Sequence, residues 1–158
     1  LNVAKEWPSR KPNRVAGKDY SRNGAYFLTI CTKDRHELFG KVQDGKMILS
    51  SFGEIVQAEL HVIEAVYSTV VVDSFVVMPN HVHILLHLLN EEANPYVSRI
   101  IQQWKGSVSK KAGTPLWQKL FHDHAVDTAE EFRKIQQYIR DSPAYWKEDV
   151  LRPLAEFP

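Results

Sequence analysis

The 158 residues are 44% hydrophobic and 25% charged, with one cysteine, Cys31; this suits one domain with its own core and excludes a disulfide framework or a Cys-rich zinc site. No apolar run approaches the roughly 20 uncharged residues of a membrane span, and the first residues carry charge and Trp7 but no signal-like hydrophobic segment. A net charge of +1 neither marks nor excludes a nucleic-acid partner, and a soluble protein of a reducing cytoplasm, free of the membrane, is expected.

Residues 1–24 are polar, rich in proline, glycine and basic side chains including Arg14, and read as an irregular arm before a single domain over 25–158. AYFLTICTK, residues 25–33, is β-branched and aromatic and predicts a buried strand. Asp44-Gly45 predicts a tight hairpin turn within residues 39–49. Ser51 with Glu54 resembles a capping box, and Ile55, Val56, Leu60, Ile63 and Val66 follow helical spacing, so a helix is expected over about 52–67.

VVVDSFVVM (70–78) and HVHILLHLL (81–89) read as two strands joined tightly through Pro79-Asn80. A linker around Asn94-Pro95 precedes a helix over about 97–111, and a short strand is expected near 117–125. The last helix starts at Asp127 or Thr128, with Glu131 completing a capping box on Thr128, and must stop before Pro143. This order suits an α+β, ferredoxin-like antiparallel sheet with helices packed on one face.

His81 and His83 lie two apart on one strand, so their imidazoles share a face and can share a metal ion, while Val82 packs on the other side. His-x-His alone more often describes two histidines on a solvated sheet face. Here Met78-Pro79-Asn80 sets both at the start of a strand, near a sheet end where sites gather. His87 has the same parity but lies about 13 Å beyond His83 by strand rise. On the last helix, Phe132, Ile135 and Ile139 make an apolar stripe with Tyr138 at its edge, able to pack its ring and expose its hydroxyl.

FVVMPNHVHILL, residues 75–86, closely resembles the signature of the REP-associated tyrosine transposases and their single-tyrosine HUH (His-hydrophobe-His) insertion-sequence relatives. Further likeness runs through DYSRNGAYFLTICT, LFG, DGKMIL, FGEIV, WKGSVSKKAG, WQKLFHDHAV and YIRDSP, about four-fifths of the chain. The resemblance implies an HUH nuclease fold, a divalent ion (Mg²⁺ or Mn²⁺) on His81 and His83, and Tyr138 as the nucleophile. It also implies single-stranded or hairpin DNA as substrate, a 5′-phosphotyrosine intermediate, a nucleoid-associated location, and either a monomer or a homodimer.

Two imidazoles are too few for a hard cation, so a third ligand is expected. Relatives carry an amide one helical turn after the nucleophile; this chain has Ser142 there, a shorter and weaker donor. That departure keeps open a second reading, a domesticated DNA-hairpin-binding protein that no longer cleaves. A small metal-dependent hydrolase in which Tyr138 only packs is a third. Trp104, Lys105, Lys110 and Lys111 could track a DNA backbone and stack a base, with Arg14 adding charge, although Trp104 suits the core better.

Overall fold

The computed structural model describes residues 24–89 and 96–149. The arm proposed for residues 1–24, Arg14 included, and the Asn94-Pro95 linker lie outside them, apart from Gly24. Strand β1 (Gly24–Cys31) is followed by a 3₁₀-like turn at Lys33–Arg35, the hairpin β2 (Gly40–Gln43) and β3 (Lys46–Leu49), and helix α1 (Ser51–Val66). Then come β4 (Val70–Met78), β5 (His81–Leu88), α2 (Val97–Ala112), β6 (His122–Val126), α3 (Ala129–Asp141) and a 3₁₀ turn at Trp146–Glu148.

The expected elements are present, with two local differences. The side chain that caps α1 is Ser50, whose Oγ accepts from the Gly53 amide at 3.1 Å, not Ser51. The late strand begins only at His122, because residues 117–118 are used to bond the end of β1: Trp117 bridges Thr32, and the Gln118 amide donates to the Cys31 carbonyl. Thr128 caps α3 as expected, accepting from the Glu131 amide at 3.0 Å.

The main sheet has the order β4-β5-β1-β6, and every pairing is antiparallel. Its even-numbered β5 residues Val82, Ile84, Leu86 and Leu88 are fully buried with α1 and α2, through Val56, Leu60, Ile100, Ile101 and Trp104. Each such side chain contributes roughly 1.5–3 kcal/mol of burial. A bulge at Asp73 shifts the register of β4, so that Val70 and Val72 before it and Phe75 and Val77 after it can all serve this same core.

The α+β class and antiparallel sheet are those expected, and α1 and α2 share a face. Helix α3 lies on the other face, where Phe27 and Leu85 meet Ile135 and Ile139. Alternation requires this cover: apolar residues of odd number on β1 and β5 would otherwise meet water. Gln136 of α3 fastens that helix to the sheet by donating to Asp73 at 2.9 Å. Among the described residues no helix is long and apolar enough to cross a membrane.

Candidate metal and nucleophile site

The site lies on the α3 face, at the β4–β5 turn. His81 pairs across the sheet with Met78 and Cys31, and His83 with Val76 and Thr29, so strand alternation turns both imidazoles to the same side. Their ring centroids are 4.6 Å apart. His81 is 0% and His83 3% exposed.

The inner nitrogens are held. His81 Nδ1 lies 2.8 Å from Asn80 Oδ1, an acceptor, which fixes the proton on Nδ1 and leaves the lone pair on Nε2. His83 Nδ1 lies 3.0 Å from the Thr29 hydroxyl. Both Nε2 atoms are buried without a hydrogen-bond partner, an arrangement that costs roughly 1–3 kcal/mol per group if nothing else satisfies it.

The chain then supplies a carboxylate. After α3 it turns at Pro143, Trp146 packs with its ring 6.0 Å from that of His81, and Asp149 follows with its side chain 5% exposed. Asp149 Oδ2 is 3.6 Å from His81 Nε2, and one ligand atom from each of His81, His83 and Asp149 falls within 4.8 Å of the others. Burial, and next the charge of Arg35, depress His81 to about 3. Burial also brings His83 to about 3, helped by His81 and opposed by Asp149 and a Leu28 backbone hydrogen bond. Both rings are therefore neutral at pH 7, and the contact with Asp149 is not an ion pair. The outward Nε2 atoms of two neutral imidazoles and a carboxylate, drawn together, form a donor set that fits a divalent cation, which would satisfy the orphaned nitrogens.

Tyr138 stands beside this set, its ring centroid 5.2 Å from that of His83 and 6.0 Å from Phe27, edge-on to the latter. Burial, and then the charge of Asp149, push its phenol well above the usual range.

The Ser142 hydroxyl donates to the Tyr138 carbonyl at 2.7 Å, and the carboxylate beside the imidazoles is that of Asp149. The candidate DNA contacts on α2 lie across the sheet from the site. Trp104 is buried against Trp117, at 5.1 Å between centroids. Lys105 Nζ donates to the Gln118 and Lys119 carbonyls, and Lys111 pairs at 2.7 Å with the buried Glu59. Lys110 is exposed.

Sequence reasoning missed Asp149, Asn80 and Thr29. Asn80 and Thr29 had a signal, since one precedes His81 and the other faces His83 once the strands pair. Asp149 had none, lying beyond α3 in a stretch without periodicity.

No protein-family profile matches the chain. A Haemophilus influenzae (strain Rd) protein described only as uncharacterized is 25% identical over 166 residues, covering 90% of this chain and 92% of its own. Two solved structures are similar. One is a REP-associated tyrosine transposase bound to a REP hairpin, with a TM-score of 0.66 and 19% identity over 84% of this chain and 74% of that one. The other, provisionally described as a transposase from Deinococcus radiodurans, has a TM-score of 0.51 and 19% identity over 81% of this chain and 97% of that one. The fold is thus the HUH fold of these transposases, and the resemblance read from FVVMPNHVHILL is matched at the level of fold.

Proposed function

We propose that this chain is a single-tyrosine DNA transposase that cleaves and rejoins single-stranded or hairpin DNA. The observation that carries the reading is the convergence of His81, His83 and Asp149 beside Tyr138 on one face of the sheet. The similar fold solved with a REP hairpin supports DNA of that kind as the substrate.

Tyr138 is the nucleophile. Its oxygen forms a bond to the scissile phosphorus as the phosphorus–O3′ bond breaks, giving a 5′-phosphotyrosine; the phenol loses its proton and the departing 3′-oxygen gains one. The reverse step rejoins a strand without a nucleoside triphosphate, because the phosphotyrosine keeps the phosphodiester energy. A free phenol is only about 0.1% ionised at pH 7, and burial beside Asp149 lowers that fraction further. Mg²⁺ or Mn²⁺ held by His81, His83 and Asp149 would supply a Lewis acid for a non-bridging phosphate oxygen and offset the Asp149 charge facing Tyr138. Asn80 and Thr29 orient the imidazoles, and Phe27 and Ile135 seat α3.

The raised phenol also favours the second reading, a protein that holds DNA hairpins without cutting them. Incubating the protein with labelled hairpin oligonucleotides in Mn²⁺ or EDTA separates the two on denaturing gels. The expected result is a metal-dependent covalent adduct, absent in Tyr138→Phe. Tight hairpin binding with no adduct under any condition selects the non-cleaving protein, and full activity in Tyr138→Phe selects a hydrolase in which the ring only packs.

A further inference from the structure

We propose that Arg35 is a substrate-binding residue that grips a phosphate of the DNA strand beside the histidine site, an assignment that rests on the DNA-cleaving reading above. The starting observation is strain. Asp34 and Arg35 have φ of 55° and 56°, two consecutive non-glycine residues in the left-handed region. Non-glycine residues seldom adopt this conformation, and it persists only where the surroundings impose it.

Those surroundings belong to the site. The Thr32 amide donates to the Asn80 carbonyl at 2.9 Å, and the Thr32 hydroxyl reaches the His36 carbonyl at 2.7 Å, closing the turn from both ends. The Lys33 amide bonds the Leu116 carbonyl at 2.9 Å. Asn80, itself fully buried, donates through Nδ2 to the Arg35 carbonyl at 3.2 Å, while its Oδ1 holds His81 Nδ1 at 2.8 Å. One amide side chain therefore sets both the orientation of His81 and the backbone position of Arg35. The strained turn and the first histidine form one rigid unit.

The Arg35 side chain at the end of this unit is half-buried, and no carboxylate among the described residues pairs with it. Its charge nonetheless reaches His81. A guanidinium offers a planar fork of donors that matches two phosphate oxygens and stays charged at any working pH. Of the basic residues first considered for DNA, Lys105 and Lys111 are committed to protein partners across the sheet. Lys33 and Arg35 both lie on the site's own turn, and Arg35 is the one half-buried there whose charge acts on His81.

The test uses the full chain in three forms: Arg35, Arg35→Asn and Arg35→Lys. Asparagine tolerates the left-handed backbone, so removing the charge need not disturb the turn. Hairpin oligonucleotides carrying one neutral methylphosphonate at each linkage in turn are measured for binding, alongside adduct formation with unmodified DNA and Mn²⁺ binding by calorimetry. In the parent, one linkage near the cleavage point should weaken binding about tenfold when neutralised. In Arg35→Asn, unmodified DNA should bind about tenfold more weakly, that linkage should no longer matter, and Mn²⁺ affinity should stay within about twofold. Arg35→Lys should fall between. An unchanged methylphosphonate profile in Arg35→Asn, or a loss of Mn²⁺ affinity matching the loss of DNA, overturns the assignment while leaving a cleaving parent intact. A parent that forms no adduct on any DNA overturns the transposase reading itself.

Discussion

The two faces of β5 are built from alternate residues of one strand and have opposite characters. Val82, Ile84, Leu86 and Leu88 are closed under two helices in a continuous apolar core. His81 and His83 are equally buried on the face that α3 covers, where among the described residues Phe27, Leu85, Ile135 and Ile139 form a smaller core and two imidazole nitrogens are left unsatisfied. The difference shows how the fold affords a site: stability comes from the first face, and the second can then carry donors that would be a liability in a protein without that reserve.

Acid should break the comparison most strongly. His81 and His83 are held at about 3 in the folded chain, against 6.5 for a free histidine, so the unfolded chain binds more protons between those values. The stability they represent is complete above about pH 6.5 and is lost as pH falls towards 3, on the order of several kcal/mol in all. Urea unfolding between pH 7 and 5, above the carboxylate range, should show this slope, and a His81→Asn/His83→Asn variant should flatten it. Equal slopes in both proteins would mean that the burial of the rings has no such effect.

The apolar face should respond next, and without touching the site. Ile84→Ala removes a fully buried side chain from the opposite face of the histidine-bearing strand, and should cost about 2–5 kcal/mol. Mn²⁺ affinity measured by calorimetry below the new melting temperature should stay within a few-fold, because Ile84 points away from both ligands. A parallel loss of metal affinity would show that the two faces are not separable.

Much of this was legible in the sequence. Period-two alternation through HVHILLHL and the Pro79-Asn80 turn placed both histidines on one face, and the stripe of Phe132, Ile135 and Ile139 placed Tyr138 at its edge. Which face α3 covers follows from the odd-numbered apolar residues, but only once β1 and β5 are known to pair. The side of the sheet that the lysines of α2 occupy was not legible, because charge along a helix says nothing about which face the helix will cover. Asp149 was invisible for a different reason: it is brought to His81 by a turn after Pro143 and by the packing of Trp146, contacts distant in sequence and without a repeating pattern.

Ser142 and Asp149 give the finest comparison, since the resemblance pointed to the first and tertiary packing brings the second beside the histidines. A serine four residues after Tyr138 is on the right face to reach a metal, but the same spacing puts its hydroxyl within reach of the preceding turn's carbonyl, and that bond is the one formed. Ser142→Ala should therefore cost about 1 kcal/mol of stability and leave Mn²⁺ affinity unchanged. Asp149→Asn keeps the shape of the side chain and removes its charge, and should weaken Mn²⁺ about 10- to 100-fold by calorimetry. The reverse pattern, with Ser142→Ala losing metal and Asp149→Asn keeping it, would return the third ligand to α3 and make the 3.6 Å approach of Asp149 to His81 a packing contact.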